Sequence, residues 1–363
     1  MRAMIMAAGL GTRLWPLTGF TPKPMAPILN RPALYHILKL LSRHGITEVV
    51  VNLHHFPSAI TSYLGDGSDL GISIRYAYEQ ELLGTAGGVK NNEDFLSGDT
   101  FLVMSGDSLT DLDLEALVAD HRARGGLATL AVKPVDDPSD FGVIVADSGG
   151  RITGFQEKPP ADEALSNLCN AGIYVFEPEI FEKIPAATFY DFGKQVFPGL
   201  LETGEPFFVH ETSHYWNDVG SLEEYRQGNF DALRGHVRIE APGHEAAPGV
   251  RFGERTDVAS SAILEGPVLI GDDCVIEEGV VLRGPLVVGD HCTFASGVRL
   301  DAAIVWSGCC VGPESRLSGV MLGRDVFLQA RVEASGAVVG GRSFVAEGHD
   351  LGDRVVEPGS VVM

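Results

Sequence analysis

The sequence has few basic residues for its acidic content. It carries 27 Lys and Arg residues against 49 Asp and Glu residues, which gives a formal net charge of −22. Nucleic acids and anionic membrane surfaces both require basic patches on a protein, so this balance argues against either of them as a partner. It does not exclude a small phosphorylated ligand, because a few local cations can hold a phosphate whatever the global charge.

Cysteines and long apolar runs are also scarce. Five cysteines in 363 residues, without CxxC spacing, predict reduced and mostly buried thiols rather than a disulfide framework. No run approaches the ~18 apolar residues of a membrane span, and the first apolar run, AMIMAA, is too short for the core of a signal peptide. We therefore expect a cytoplasmic protein.

The apolar pattern divides the chain into two domains joined by a bridge. Up to about residue 234, short apolar runs alternate with amphipathic segments, as in AMIMAA followed by RPALYHILKLLSRHG. This alternation predicts an α/β domain over 1–234, Rossmann-like, with a mostly parallel sheet and helices on both faces. A loop-rich bridge containing glycine and proline follows over 235–261.

Beyond the bridge, the apolar period changes to six residues. Large apolar residues recur at every sixth position from Leu264 to Leu300, and after one-residue slips the pattern resumes at Val305 and again at Leu322. One such residue in six, beside recurring glycines, is typical of hexapeptide repeats in a left-handed parallel β-helix. We expect this fold over 262–363, with about four regular coils of roughly eighteen residues each.

A stretch rich in turns, GLGTRLWPLTGFTPKPM, follows the first predicted strand. Its glycines, Gly9 and Gly11, would let backbone N–H groups approach phosphate oxygens. Arg13 offers a fork of donors suited to a pyrophosphate, and Lys23 stands between two prolines whose rings fix φ. The Walker spacing GxxxxGK[ST] is absent, so these residues predict a phosphate loop of another type.

This stretch resembles the signature of the sugar-1-phosphate nucleotidyltransferases, whose pattern is GxGTRxxPxTxxxPKP. The motifs LLGTAGGV, VMSGDS, FGVI, FQEKP, NAGIYVF and YWNDVG follow in the family's order. The resemblance covers nearly all of the first domain, and the β-helix tail is similar to that of mannose-1-phosphate and glucose-1-phosphate members. It implies an enzyme that converts a nucleoside triphosphate and a sugar-1-phosphate into a nucleoside-diphosphate sugar and pyrophosphate.

The resemblance also assigns roles to individual residues. The expected catalytic residues are Arg13, Lys23, Asp107 and Asp218. The expected nucleotide site comprises Ala8, Gly9, Gly11, Thr12, Arg13, Lys23, Glu79, Gly84, Thr85 and Asp107. The expected sugar-phosphate site comprises Gly142, Glu157, Lys158 and Asn170. Lys194 either reaches a phosphate or pairs on the surface.

The chemistry explains why these residue types are needed. Two anions must be brought together in line, so catalysis consists mostly of charge neutralisation and positioning. Asp107 ends a buried strand, where open α/β sheets place ligands, and Asp218 lies in WNDVG. We expect these two carboxylates to hold Mg²⁺, a hard cation that prefers oxygen ligands.

Glu79, five residues before Gly84, bears on the choice of base. Uridylyl and thymidylyl relatives usually carry glutamine at this place, whereas an ionised glutamate only accepts hydrogen bonds. Guanine presents two adjacent donors, N1–H and N2–H₂, so Glu79 favours GTP, and with the β-helix tail it favours mannose-1-phosphate as the acceptor. Gln80 would take over this role if the register shifted by one. Uridylyl or thymidylyl transfer to glucose-1-phosphate, and use of heptose-1-phosphate or several sugars, stay open.

Two other classes of protein are compatible with parts of the sequence. Hexapeptide β-helices often occur in acyltransferases, which need a histidine between coils, but His291 lies at a predicted turn and has no second histidine at coil spacing. A non-catalytic homologue would lack one of the four expected catalytic residues, and all four are present. An exposed β-helix end invites association, so we expect a homo-oligomer, either a dimer or a tetramer.

Overall fold

A computed structural model describes residues 1–363. The chain forms two compact units: unit 1 consists of Met1–Leu10 and Leu34–Asp218, and unit 2 of Gly11–Ala33 and Val219–Met363. The seven α-helices are α1 (Ala33–Arg43), α2 (Pro57–Leu64), α3 (Gly84–Lys90), α4 (Glu93–Leu96), α5 (Leu114–Arg124), α6 (Phe197–Thr203) and α7 (Leu222–Leu233). Residues 11–33, which carry most of the predicted phosphate loop, therefore group with the C-terminal part of the chain.

Thirteen strands precede α7. They are β1 (Ala3–Met6), β2 (Pro27–Ile28), β3 (Arg31–Pro32), β4 (Glu48–Leu53), β5 (Ser73–Tyr78), β6 (Phe101–Ser105), β7 (Leu109–Thr110), β8 (Ala128–Pro134), β9 (Gly142–Ala146), β10 (Ile152–Glu157), β11 (Leu168–Phe176), β12 (Phe207–Glu211) and β13 (Trp216–Asn217). Unit 1 contains a nine-stranded sheet in which β6, β1, β4 and β5 are parallel neighbours. On the other side of β6, β11 pairs antiparallel with β6, β8 and β9. The predicted α/β domain is confirmed.

Local sequence signals explain the helices that flank this sheet. The apolar face of α1 is buried through Leu34, Ile37, Leu38 and Leu41, which recur at helical spacing. Helix α5 begins after Asp113, whose carboxylate accepts from the Ala116 N–H at 3.0 Å, and it ends at Gly125 with φ 64°.

An aromatic cluster fills the core beneath the antiparallel half of the sheet. The rings of Phe176 and Phe192 stack with centroids 5.1 Å apart, and Phe192 also stacks on Phe197. All three side chains are at most 2% exposed, and burial of such a ring contributes about 1.5–3 kcal/mol. This packing fixes the position of the π-helical turn Phe192–Val196, which follows Asp191 and contains Lys194.

Unit 2 contains the predicted parallel β-helix. Its strands are β14 (His244–Ala247), β15 (Val250–Phe252), β16 (Asp257–Val258), β17 (Ile263–Glu265), β18 (Val268–Ile270), β19 (Val275–Ile276), β20 (Val281–Arg283), β21 (Leu286–Val288), β22 (Thr293–Phe294), β23 (Arg299–Asp301), β24 (Ile304–Val305), β25 (Cys310–Val311), β26 (Arg316–Ser318), β27 (Met321–Leu322), β28 (Phe327–Leu328), β29 (Glu333–Ser335), β30 (Val338–Val339), β31 (Phe344–Val345), β32 (Val355–Val356) and β33 (Val361–Val362). They form three sheets, of eight, seven and five strands. Only β14 pairs antiparallel within these sheets.

The six-residue period places successive repeats on successive sheets, so every third repeat lies directly above an earlier one. Ile276 pairs with Phe294, 18 residues later, and Phe294 pairs with Val311 after only 17. The shorter coil accounts for the first slip in the sequence pattern. All three side chains point into the core and are at most 2% exposed.

The β-helix is longer than the repeat pattern predicts. One sheet has seven parallel strands, from β15 to β32, where we expected about four coils. The first parallel strands of the β-helix, β15 and β16, lie inside the segment 235–261 that the sequence predicts to be a bridge. Phe252 and Val258 stand twelve and six residues before Leu264 and pack against the β-helix core, so the six-residue period in fact extends into the segment predicted to be a bridge. All five cysteines are free thiols, four of them buried, and no helix has both the length and the apolar character needed to cross a membrane.

Candidate active site

Two parallel strands of unit 1, β1 and β6, end side by side. The Gly106 N–H donates to the Met6 carbonyl at 2.9 Å, and a Cβ on Gly106 would lie 2.8 Å from the same oxygen. Glycine is therefore required for the segment after β6 to approach the segment after β1. Asp107 follows at once and is half-buried, so its carboxylate lies where the predicted phosphate loop begins.

A short ladder pairs the two segments that carry the predicted metal ligands. Strands β7 and β13 pair antiparallel, with Trp216 opposite Thr110 and Asn217 opposite Leu109. Asp218 directly follows Asn217, and Asp107 lies two residues before Leu109, so the two aspartates flank the same end of this ladder. Both aspartates are half-buried. Residues more than a hundred positions apart in sequence therefore meet through backbone pairing.

Asp111 and Thr110 fasten this ladder. The Asp111 carboxylate accepts from the Tyr215 N–H at 2.9 Å, and the Thr110 hydroxyl donates to the Tyr215 carbonyl at 2.7 Å. Asp111 is buried, so these bonds are protected from competition with water. Asp111 is a positioning residue that the sequence reasoning missed.

The backbone directly after Asp218 is unusual. Val219 has φ 49°, in the left-handed region that β-branched residues rarely adopt. Strain of this kind is retained where the surrounding structure determines the conformation, and it concentrates at functional sites.

The two aspartates fit a magnesium site of the type used with phosphate substrates. Mg²⁺ usually binds through one or two carboxylates and completes its coordination with water and substrate oxygens. No group of three or more His, Cys, Asp or Glu side chains is arranged to hold a metal ion by itself. A site built from Asp107 and Asp218 therefore depends on substrate oxygens for the rest of its ligands.

The first residues of the phosphate loop belong to unit 1. Ala8 is buried, whereas Gly9 is exposed and a Cβ there would meet no atom within 4 Å. Packing within the protein thus does not require glycine at position 9. The absence of a side chain leaves the backbone N–H accessible from solvent, as phosphate binding demands.

Glu79 is part of a buried hydrogen-bond network. The Asn52 amide donates to Glu79 Oε1 at 2.7 Å, and Asn52 Oδ1 accepts from the Ala7 N–H at 2.7 Å. The other carboxylate oxygen accepts from the Leu83 N–H at 3.2 Å. Glu79 is only 6% exposed. The predicted base-reading residue thus joins the turn before α3 to the start of the phosphate loop, and Asn52 is a second residue that the sequence reasoning missed.

Gly84 and Thr85 connect that same turn to the π-helical turn. Gly84 has φ 74°, and a Cβ there would lie 2.6 Å from the Tyr190 carbonyl. The Thr85 hydroxyl donates to Asp191 Oδ2 at 2.8 Å and accepts from the Phe192 N–H at 2.9 Å. The other oxygen of Asp191 caps the turn through the N–H groups of Gly193 and Lys194.

Three of the predicted sugar-phosphate residues lie close together at the end of the β9–β10 hairpin. Gly142 pairs with Glu157 across the hairpin, and a Cβ on Gly142 would lie 3.4 Å from Glu157 Oε2. The same oxygen would lie 2.7 Å from a Cβ on Gly193, so both glycines make room for this carboxylate. Lys158 follows and has φ 51°, a strained value for a residue that precedes proline.

The electrostatics of this cluster bear on sugar-phosphate binding. Desolvation, and then the Asp191 carboxylate, raise the pKa of Glu157, while Lys158 and Lys194 act in the opposite direction. The structure therefore brings Lys194 close enough to Glu157 and Asp191 to interact with their charges. Two lysines beside two carboxylates leave this corner of unit 1 close to neutral, which suits a phosphorylated ligand better than the net charge of the chain suggests.

Asn170 lies at an irregularity in β11. The register shifts between Asn170 and Tyr174, where Gly172 adopts φ 71° and a Cβ would lie 2.7 Å from Ser105 Oγ. The Asn170 amide donates to the Tyr174 hydroxyl at 2.9 Å and accepts from the Gly172 N–H at 3.0 Å. Asn170 therefore shapes the bulge beside the end of β6.

The remaining predicted residues belong to the signature segment, Gly11–Ala33, in unit 2. Gly11 has φ 69°, and a Cβ there would lie 2.6 Å from the Cβ of Lys23, so the two ends of the loop touch. Arg13 and Thr12 are exposed on a 3₁₀ turn, Thr12–Leu14, whereas Lys23 is buried at the start of another. The structure thus brings Gly11 and Lys23 together and leaves the Arg13 side chain accessible to solvent.

His291, the residue that bears on the acyltransferase alternative, lies outside this arrangement. It occupies a turn of the β-helix with φ 58°, is 68% exposed, and its Nδ1 lies 3.7 Å from Asp273 Oδ2.

Comparisons with known proteins identify the family of the chain. Residues 2–235 match the family model described as "Nucleotidyl transferase", and residues 267–302 match "Bacterial transferase hexapeptide (six repeats)". The chain is 39% identical over 354 residues to a UTP–glucose-1-phosphate uridylyltransferase of Synechocystis sp., covering 93% of this chain and 90% of the relative. It is 36% identical over 282 residues to a mannose-1-phosphate guanylyltransferase of Mycobacterium tuberculosis, covering 76% and 77% respectively.

A solved structure shares the fold of about two thirds of the chain. A Bacillus anthracis protein assigned as a glucose-1-phosphate thymidylyltransferase, crystallised with a sucrose, aligns with a TM-score of 0.60 and 27% identity. The alignment covers 66% of this chain and 97% of that one. The match to the nucleotidyl transferase model spans more than half of the chain. It contains every candidate residue described in this subsection except His291 and Asp273, which lie in the β-helix. The chain therefore belongs to the nucleotidyl transferase family and is a sugar-1-phosphate nucleotidyltransferase.

Proposed function

We propose that this enzyme transfers a guanylyl group from GTP to mannose-1-phosphate, producing GDP-mannose and pyrophosphate. The observation that carries this choice is Glu79, an acceptor-only side chain held beside the LLGTAGG turn by Asn52 and Leu83. Each carboxylate oxygen has a second lone pair, which leaves capacity for the two adjacent donors of guanine. The Mycobacterium tuberculosis relative carries the corresponding name.

The reaction requires attack by a phosphate oxygen of the sugar-1-phosphate on the α-phosphorus of GTP. The new O–Pα bond forms as the bond from Pα to the bridging oxygen of the β-phosphate breaks, and pyrophosphate leaves with that electron pair. Lys158 and Lys194 would hold the attacking phosphate, and Arg13 and Lys23 would neutralise the departing pyrophosphate. No side chain has to act as a nucleophile.

Asp107 and Asp218 would hold Mg²⁺, which supplies charge neutralisation at the phosphate oxygens when bound. Glu157 and Asn170 would orient the sugar through its hydroxyl groups, and the backbone of Gly142 would line the same site. These roles are inferred from the geometry of each unit taken separately and from the positions that the reaction requires of its two substrates. Association into a dimer or tetramer stays a prediction, to be tested by light scattering.

A second candidate is uridylyl transfer from UTP to glucose-1-phosphate. Two observations favour it: the Synechocystis relative of that name is matched over 93% of this chain, and both oxygens of Glu79 already accept hydrogen bonds within the protein. Thymidylyl transfer and use of heptose-1-phosphate are further variants of the same chemistry.

A substrate matrix distinguishes these candidates. Pyrophosphate release would be measured with GTP, UTP, dTTP, ATP and CTP against mannose-, glucose- and heptose-1-phosphate in the presence of Mg²⁺. The proposal predicts the highest kcat/KM with GTP and mannose-1-phosphate. Preference for UTP and glucose-1-phosphate would replace it with the second candidate, and no activity with any pair would refute both.

A further inference from the structure

The signature segment is fastened to the last coil of the β-helix. Trp15, two residues after Arg13, donates its indole N–H to Glu357 Oε2 at 2.8 Å. Glu357 lies 342 residues further along the chain, in the turn that follows β32. Both residues belong to unit 2, so this contact forms within one compact body.

Two further contacts join the signature segment to the final part of the β-helix. The Arg342 guanidinium carbon lies 4.6 Å from the centroid of the Phe20 ring, a cation–π arrangement. A Cβ on Gly19 would collide with the ring of Pro358, the residue after Glu357, so the segment reaches this turn only because residue 19 is glycine. Three residues of the segment therefore touch the final part of the β-helix.

The loop has little local structure of its own to hold Arg13. Thr12–Leu14 is a single 3₁₀ turn without a side-chain cap, and its last hydrogen bond runs from the Trp15 N–H to the Thr12 carbonyl. Short 3₁₀ turns have poor hydrogen-bond geometry and weak intrinsic stability. Within this turn Leu14 is buried and the turn contacts α7, and the Trp15 side chain adds the contact with the last coil of the β-helix.

We propose that the last coil of the β-helix positions the phosphate loop for the nucleoside triphosphate, with Glu357 as a positioning residue that acts through Trp15. This inference rests on the proposed role of Arg13 in binding the triphosphate. It gives the β-helix a part in substrate binding, in addition to the part in assembly that its exposed end suggests. Arg342 restrains the neighbouring turn of the loop through Phe20.

A double-mutant cycle on Trp15 and Glu357 tests the proposal. Trp15→Phe removes the donor and keeps the ring, and Glu357→Ala removes the acceptor in an exposed turn that contributes nothing to the core. Each single variant should raise the KM for the triphosphate about threefold to fivefold, which is typical of an exposed hydrogen bond to a charged group. The double variant should be no worse than the poorer single variant, because the two residues act through one bond.

Other readouts separate positioning from general damage. The KM for the sugar-1-phosphate and the midpoint of thermal unfolding should stay at the wild-type values in Glu357→Ala. The control is Glu278→Ala, which removes an exposed glutamate from a turn of an earlier coil that follows a strand of a different sheet of the β-helix. Arg342→Gln should raise the triphosphate KM as well, by a smaller factor.

Three outcomes of these measurements would contradict the proposal. An unchanged triphosphate KM in a folded Glu357→Ala variant, additive effects in the cycle, or equal changes in both KM values would overturn the proposal. These assays use GTP and UTP in parallel with the wild-type enzyme as reference. Failure of the wild type to act on any substrate pair would count against the proposed function instead, so the two failures are distinguishable.

Discussion

The two compact units hold their charged residues by different means. In unit 1, Asp107 and Asp218 stand near strand ends and flank the same end of the β7–β13 ladder. In unit 2, Arg13 and Lys23 stand on short 3₁₀ turns whose geometry depends on a glycine contact and on side chains of the last β-helix coil. Backbone ladders position the first pair, whereas loop contacts position the second.

This difference has a mechanical consequence. Asp107 follows β6, which pairs with β1 on one side and β11 on the other, so removal of one side chain leaves the position of this strand end unchanged. A loop held by a few side-chain contacts shifts when one of them is lost. Substitutions in unit 1 should therefore act on chemistry, and substitutions in the signature segment should act on binding through loop position.

The largest expected effect is that of Asp107→Asn. It keeps the size of the side chain and removes the charge that the metal requires, so kcat should fall by at least about 10²-fold. Steady-state pyrophosphate release measures this, and circular dichroism should show an unchanged fold. Asp69→Asn, at an exposed aspartate remote from the strand ends, is the matched control and should keep wild-type activity. Substantial turnover by Asp107→Asn with Mg²⁺ would contradict the metal role.

Gly11→Ala tests the loop side of the comparison. The new Cβ would meet the Cβ of Lys23 at 2.6 Å in a left-handed backbone, so the loop must shift and the triphosphate KM should rise about tenfold. Gly45→Ala is a close control, since Gly45 has the same φ of 69° and a Cβ there would meet no atom within 4 Å. If both variants raise the KM equally, backbone strain rather than loop position is responsible.

Glu79→Gln distinguishes a base-reading residue from a purely structural one. Under the proposed function, the ratio of kcat/KM with GTP to kcat/KM with UTP should fall about tenfold, because an acceptor for guanine becomes partly a donor. Asn52→Asp, which disturbs the same network but leaves the Glu79 side chain itself unchanged, should lower both values alike. An equal loss with both triphosphates in Glu79→Gln would show that the residue only supports Asn52 and Leu83.

The smallest expected effect concerns the pH dependence of stability. Because the folded protein raises the pKa of Glu157, the ionised carboxylate disfavours the folded state, and this cost grows as pH rises from the unfolded to the folded pKa. Glu157→Gln should therefore raise Tm at pH 7 by about 1 °C, since the group is exposed and partly screened. The difference should vanish below about pH 4, where the carboxyl is protonated in both states. A Tm gain that persists at low pH would indicate a packing effect instead.

The same comparison explains what the sequence could predict. The strand-end position of Asp107 and the six-residue period of the β-helix follow from local patterns, because strands and repeats have fixed periods. The Thr85–Asp191 bond, the Asn52–Glu79 bond and the Trp15–Glu357 bond join residues that no local period relates. Such contacts depend on tertiary packing, so single-sequence reasoning recognised the principal charged residues and missed those that hold them in place.

The grouping of residues 11–33 with the β-helix was equally beyond the sequence pattern. Their partners in unit 2 come from distant parts of the chain, as with Leu29 and Asn229 in α7 and with Trp15 and Glu357 in the last coil. The first coil of the β-helix was predictable in principle, since Phe252 in β15 and Val258 in β16 continue the six-residue period backwards from Leu264, but the glycines and prolines nearby favoured a bridge.

The most direct test of the account is pyrophosphate release by the wild-type enzyme with GTP, mannose-1-phosphate and Mg²⁺, with each component omitted in turn. The account predicts release that requires all three and that is lost in Asp107→Asn. Release at a similar rate without the sugar-1-phosphate would contradict it, because the α-phosphorus would then be attacked by water rather than by the second substrate.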